Sequence, residues 1–310
     1  MVDNRKQKKV LASEEIQVTV IIPVYNNASG LHKTLNGLKH QDSRSGMEIF
    51  VVDNGSNDNP EQVVKGFQPS MTICYLEEHS YLNSPYSSRN RGIEKASGKF
   101  IALLDSTCVP VNSWLREGLK AMTRADLVGG AIEFDVDENS STSEIFDSLT
   151  NANMSRNIES RGTAVAGNLF VRKTLFDKLG MFPEGLRSGG DIRWTKHATE
   201  NGYKLRYSHE AKVLIKPKDF KGLCRKQYRV GQGHPIIWME NHIFLENFIK
   251  KILLSWFPPN PLRLHRLARD KKLAGTSRFL KLYMLGWYLR MVNGLGSMVG
   301  LTRLKAFLAE

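Results

Sequence analysis

Cysteine is scarce: the 310 residues contain only Cys74, Cys108 and Cys224. An odd number without metal-ligand spacing excludes a disulfide framework and a zinc finger, and suits free thiols in a reducing cytoplasm. The HExxH, Cys-x-x-Cys and GxxxxGK[ST] strings are missing, so zinc-protease, redox-dithiol and P-loop chemistry have no support. Long apolar runs are missing too. The most apolar stretch, Phe279 to Leu301, is interrupted by Lys281 and Arg290, and falls short of the roughly 18–20 apolar residues that spanning a bilayer requires. Residues 1–16 are polar, with Arg5, Lys6, Lys8 and Lys9 and no apolar core, which predicts a frayed tail and no secretory signal. Acidic residues are scarce in one region only. Residues 1–215 hold 26 Lys and Arg against 26 Asp and Glu, whereas residues 216–310 hold 18 against 5. The whole net charge of +13 therefore lies in the last part of the chain.

A hydrophobic content of 41% with 24% charged residues describes an ordinary globular chain. Its length suits one large α/β domain and a smaller appendage. Strands at 18–23, 47–53, 71–76 and 99–104 alternate with helices at 28–40, after Asn59-Pro60, and at 85–96. Asn59 is expected to cap its helix, with Pro60 at the first position and Gln62 at the third. This order implies a mostly parallel sheet with helices on both faces. A helix over 113–123 and a strand over 126–134 follow. Residues 135–162, rich in Ser, Asn and Glu, read as an insertion with one short helix near 145–149, an acceptor-binding lid over the active face. Beyond it lie a strand at 164–171, short helices at 175–180 and 192–201, and an extended stretch over 203–215.

Three of the strands end in polar, turn-forming residues. Val18 to Pro23 runs into Val24-Tyr25-Asn26-Asn27, Glu48 to Val52 into Asp53-Asn54-Gly55-Ser56, and Phe100 to Leu104 into Asp105-Ser106-Thr107. Carboxylates at the carboxyl ends of buried strands mark where open α/β sheets hold ligands. Together with Ser88-Arg89-Asn90-Arg91-Gly92 and Ser188-Gly189-Gly190-Asp191, these strings resemble an inverting family 2 glycosyltransferase of the GT-A fold, in the subset with Ser-Gly-Gly-Asp in place of Gly-Glu-Asp. The resemblance covers about residues 17–235.

The resemblance implies transfer of a sugar from a nucleotide-diphosphate donor, foremost a UDP-sugar, to an acceptor hydroxyl. Donor contacts fall on Pro23, Tyr25, Asn26, Asp53, Arg89, Asn90, Asp105, Thr107, Gly167 and Asn168. Asp191 is implied as the general base, with Gly189, Gly190 and Trp194 at the acceptor. Two positions depart from the family. Thr107 replaces the second carboxylate of an Asp-x-Asp string, and Lys216 precedes Pro217 where many relatives place a metal-binding His. A neutral hydroxyl binds a divalent ion poorly, so Asp105 alone is left as a weak ligand for Mn²⁺ or Mg²⁺. Lys216, Arg225 and Arg229 are expected to neutralise the leaving diphosphate instead. The segment Arg225 to His234 resembles a glycine-spaced segment that closes over that diphosphate.

The expected division is a tail over 1–16, a GT-A domain over 17–235 with a nucleotide-binding half (17–110) and a catalytic half (111–235), and a helical region over 236–310. That last region is basic, amphipathic and rich in Trp and Phe. Its basic residues face anionic headgroups if it lies in a membrane interface, which predicts a peripheral cytoplasmic enzyme acting on a lipid-linked or membrane-proximal acceptor of the cell surface. A hairpin packed on the catalytic domain and a homodimer contact stay open as alternatives. Processive synthesis is not expected, since no Gln-x-x-Arg-Trp string is present. A catalytically silent nucleotide-sugar-binding partner protein is the rival reading. Nucleic acid is not an expected partner, because the basic region carries no recognition motif.

Overall fold

A computed structural model describes residues 16–44, 46–151, 153–240, 244–270 and 276–307. The expected tail, but for Ile16, lies outside the described residues. Eight strands form one sheet in the order β3-β2-β1-β4-β7-β6-β8-β5. They are β1 (Val18–Val24), β2 (Met47–Asp53), β3 (Ile73–Glu77), β4 (Phe100–Leu104), β5 (Cys108–Pro110), β6 (Leu127–Phe134), β7 (Asn168–Arg172) and β8 (Leu205–Ile215). The helices between them are α1 (Ala28–Lys39), α2 (Pro60–Phe67), α3 (Pro85–Lys95), α4 (Trp114–Met122), α5 (Thr142–Thr150), α6 (Met154–Arg161), α7 (Thr174–Leu179) and α8 (Gly190–Glu200). After β8 come α9 (Phe220–Glu240), α10 (Phe244–Trp256), α11 (Pro261–Asp270) and α12 (Thr276–Phe307).

By contacts the chain divides into two compact units. The first comprises the chain up to Ala131, Met154–Glu184 and Trp194–Val213; the second comprises Ile132–Asn153, Gly185–Arg193 and the chain from Leu214. The boundary between positions 235 and 236, where the helical region was expected to begin, falls inside α9.

In the first unit β1 pairs in parallel with β2 and with β4, and β2 with β3. All seven residues of β1 and of β2 are buried, so both strands read as continuous apolar runs. Leu31, Leu35 and Leu38 of α1 share one helical face and are fully buried, as their spacing predicts. β7 then enters antiparallel to β4, and β6 antiparallel to β7. Asn59 sits at the N-cap position of α2 but is left-handed (φ 57°) and its side chain makes no capping bond. Pro60 begins the helix as expected. The short strand β5 and the helix α6 escaped the sequence reading, the first for its length and the second for its low apolar content.

In the second unit Ile145, Phe146 and Leu149 of α5 bury against Leu223 of α9 and Leu282 and Leu289 of α12. The segment Arg225 to His234 is not a loop but part of α9. Its glycine serves helix packing: a Cβ on Gly231 would lie 2.2 Å from the Asn293 carbonyl oxygen of α12, and one on Gly296 would lie 2.2 Å from the Tyr228 carbonyl oxygen. The glycines are what let two backbones meet. None of the described helices is long and apolar enough to cross a membrane.

Gly118 tests the packing of the first unit. A Cβ there would lie 2.2 Å from the Phe170 ring, which itself packs on Trp114 at 4.9 Å. Gly118→Ala gains about 1 kcal/mol in helix propensity but overpacks the core by about 1–3 kcal/mol. The denaturation midpoint is expected to fall, and a rise would show that the ring moves freely.

Candidate active site

The parallel register sets the carboxyl ends of the central strands side by side. Val24 pairs with Asp53, Asp53 with Glu77, and Ile21 with Leu103 one residue before Leu104. Pro23 is buried opposite Val52 and lies past the end of the β4 ladder, where its missing N–H breaks no pairing. Tyr25, just beyond, is 47% exposed.

The loops after β1, β2 and β4 are tied to one another. Asn26 is left-handed (φ 48°). Its N–H donates to Ser56 Oγ at 2.9 Å, and its side-chain oxygen accepts from the Asn57 N–H at 2.8 Å. Asp58 accepts from the Ala28 N–H at 2.7 Å, so the cap of α1 comes from the loop after β2. Asn27 Nδ2 donates to the Ser106 carbonyl and hydroxyl at 3.0 and 3.1 Å, holding the turn that presents Asp105 and Thr107. Thr107 is exposed at the tip of that turn.

Asp53 is buried, and both of its carboxylate oxygens accept hydrogen bonds. It accepts from Ser56 Oγ at 2.5 Å and from the Tyr75 hydroxyl at 2.9 Å. Burial, then the bond to Asp53, pushes the Tyr75 hydroxyl well above its ordinary range, so it stays a neutral donor. Tyr75 escaped the sequence reading. Its strand position, two residues before the end of β3, was the available signal.

Arg89 and Asp105 form an ion pair at 2.5 Å, with the Arg89 side chain 5% and the Asp105 side chain 43% exposed. Asn90, expected to tie α3 to the donor loop, instead clasps the backbone of Phe182. Its Nδ2 donates to the Phe182 carbonyl at 2.9 Å and its Oδ1 accepts the Phe182 N–H at 3.1 Å. Asn168 is likewise structural rather than donor-facing. It is fully buried, donates to the carbonyls of Ala131 and Ala211, and accepts from Trp114 Nε1. Trp194 is core rather than an acceptor platform: it is 4% exposed, stacks on Phe176 at 4.6 Å, and donates to the Gly180 carbonyl at 2.7 Å. Gly167 lies against Asp105, since a Cβ there would sit 3.1 Å from Oδ2.

In the second unit, Gly189 takes a left-handed φ of 88°, which favours glycine, and Gly190 opens α8. Asp191 follows in the first turn, half-buried, and accepts the Ile192 N–H at 3.0 Å. The helix dipole there attracts negative charge. Lys216 is exposed immediately after β8, and Arg225 and Arg229, one turn apart on α9, are exposed as well. Between them in sequence Lys226 turns inward to Asp147, 3.6 Å away and 2% exposed. Asp147 also accepts the Lys218 N–H at 2.9 Å, so α5, α9 and the segment after β8 meet on one carboxylate.

The residues present do not compose a divalent-ion site. Asp105 is held by Arg89, Thr107 offers a neutral oxygen, and no group of three His, Cys, Asp or Glu that could hold a metal occurs among the described residues. The first unit offers strand-end hydrogen-bonding groups, and the second offers the exposed cations Lys216, Arg225 and Arg229, which suit an anionic ligand.

A single mixed sheet with polar groups at the ends of its parallel strands and helices between them defines an α/β protein of the GT-A type. The model of glycosyl transferase family 2 matches residues 19–180, and the chain belongs to that family. It is 35% identical over 289 residues to the glycosyltransferase AglE of Haloferax volcanii, across 90% of this chain and 94% of that one. Among solved structures it is similar to S. aureus TarS 1–349 in complex with UDP-GlcNAc, with a TM-score of 0.55 at 17% identity over 94% of this chain and 92% of that one. It is also similar to the mannosyltransferase PcManGT of Pyrobaculum calidifontis in complex with GDP-Man and Mn²⁺, with a TM-score of 0.54 at 18% identity over 94% of this chain and 75% of that one. These last two establish the fold. The chain is a glycosyltransferase.

Burial lowers the Lys226 ammonium to about 8, and Asp147 only partly restores it. Above pH 8 the folded chain has released a proton that the unfolded chain still binds, so this group makes stability rise with pH up to the ordinary lysine range. Denaturant titrations between pH 7.5 and 10 are expected to show a more positive slope for the wild type than for Lys226→Met. Equal slopes would place Lys226 in water.

Proposed function

We propose that this glycosyltransferase is inverting and non-processive, and moves a sugar from a nucleotide-diphosphate donor, foremost a UDP-sugar, to a hydroxyl of a lipid-linked or membrane-proximal acceptor. One observation carries the donor half of this reading. The loops after β1, β2 and β4 are cross-tied so that Tyr25, Asp53, Arg89 and Asp105 stand at one strand-end edge. The GDP-Man and UDP-GlcNAc bound in the two structural neighbours support a nucleotide-sugar donor.

The chemistry needs few groups. Tyr25, Asn26 and Asp53 meet base and ribose. Asp191 takes the proton from the acceptor hydroxyl as its oxygen attacks the anomeric carbon, while the bond from that carbon to the diphosphate oxygen breaks. Gly189 and Gly190 leave room for the acceptor beside Asp191. Lys216, Arg225 and Arg229 meet the charge that develops on the leaving diphosphate, as preorganised cations do. A general base is worth about 10²–10⁴ in rate. Asp191→Asn is therefore expected to lower turnover by about that factor with nucleotide affinity unchanged, measured by product formation and calorimetry. An active Asn variant would refute the assignment. Donor hydrolysis without acceptor separates the enzyme from a silent nucleotide-sugar-binding protein.

The acceptor side rests on the second unit. Leu253, Trp256, Phe257 and Leu262, around the turn between α10 and α11, are 54–63% exposed, and Lys250 and Lys281 are exposed on α10 and α12. Apolar tips with flanking cations suit the interface of an anionic membrane, consistent with an enzyme on the inner face of the cell membrane. Co-sedimentation is expected with vesicles containing phosphatidylglycerol and not with pure phosphatidylcholine, weakening as salt rises. Equal binding to both would remove the electrostatic part of the reading.

A further inference from the structure

We infer that this chain holds its donor diphosphate without a resident divalent ion, because the carboxylate at the end of β4, Asp105, belongs to Arg89. This rests on the donor reading above. A hard cation such as Mg²⁺ or Mn²⁺ is drawn to a protein site by anionic oxygen, commonly one or two carboxylates completed by substrate phosphates. Of the two strand-end positions after β4, Thr107 supplies no charge. Asp105 supplies one, but its Oδ1 is 2.5 Å from the Arg89 guanidinium.

That pair is hard to open. The Arg89 side chain is 5% exposed, its guanidinium lies 5.5 Å from the centre of the Tyr86 ring, and its Nε is buried with no hydrogen-bond partner. Drawing Asp105 away to a metal would leave a buried guanidinium uncompensated, which is costlier than never having buried the pair. The other carboxylate oxygen faces the Gly167 backbone, close enough that a Cβ there would lie 3.1 Å from it. The Asp105 N–H donates to the Gly167 carbonyl at 3.3 Å, holding the strand end in place. The pair Asp105–Arg89 is neutral as a unit, so it offers a dication no net attraction. It still offers the donor oriented N–H and carboxylate groups at the strand end.

Calorimetry with the full chain tests this, using UDP and GDP as probes, first in EDTA and then in excess Mn²⁺. The nucleotide that binds is expected to show Kd values within about threefold of each other in the two buffers. A tenfold or greater loss of affinity in EDTA, restored by Mn²⁺, would overturn the inference while leaving the donor reading intact. Binding of neither nucleotide in either buffer would overturn the donor reading and this inference with it. Thr107→Asp provides the reverse arm: placed on an exposed turn, it is expected to fold and to bind nucleotide at least tenfold more tightly with Mn²⁺ than in EDTA. If that variant stayed indifferent to Mn²⁺, Thr107 would not be what excludes the ion.

Discussion

The register of β1 between β2 and β4 is the constraint on which the candidate site depends. Each side chain of β1 is buried, so a slip of one residue would exchange side chains of different shape between two packed faces and leave both misfitted. With slippage forbidden, the ends of three parallel strands come level, and the polar residues that follow them have no choice of location. The cross-ties from Asn26, Asn27 and Asp58 then convert three separate turns into one edge. Each tie is a modest hydrogen bond; the strand register aligns them so that they act together.

Charge is arranged on the same principle of early commitment. Asp105 and Asp147 are each held by a basic side chain of their own unit. Lys216 after β8, and Arg225 and Arg229 along α9, are exposed. Exposed cations favour an anionic ligand, and a carboxylate held by an arginine attracts a metal cation less, which sets this chain apart from the family pattern of paired acidic residues that its sequence otherwise resembles.

The strand-end carboxylates were legible in the sequence because a buried strand that stops at a polar turn leaves a distinct one-dimensional trace. Asn90, Asn168 and Trp194 show the limit of that trace. All three occupy strings that resemble a donor or acceptor site, yet all are buried and hydrogen-bonded to backbone groups far along the chain, at Phe182, Ala131, Ala211 and Gly180. A polar side chain serves as readily to satisfy an orphaned carbonyl as to meet a ligand, and spacing along the chain does not distinguish the two. The glycines of α9 misled for a similar reason, since glycine permits close approach of any backbone, whether to a phosphate or to a second helix.

By itself the sequence determined the α/β class, the alternation of strands and helices, the basic character of the C-terminal region and the replacement of a carboxylate by Thr107, because each is a property of neighbouring residues or of composition. Only the tertiary structure decided that Arg89 takes Asp105, that Tyr75 takes Asp53, that Lys226 takes Asp147, and that α5 joins α9 and α12 in one core. Those pairings link residues 16 to 140 or so positions apart, and nothing local specifies them. They arise when burial removes water and each charged or polar group must find its partner within the protein.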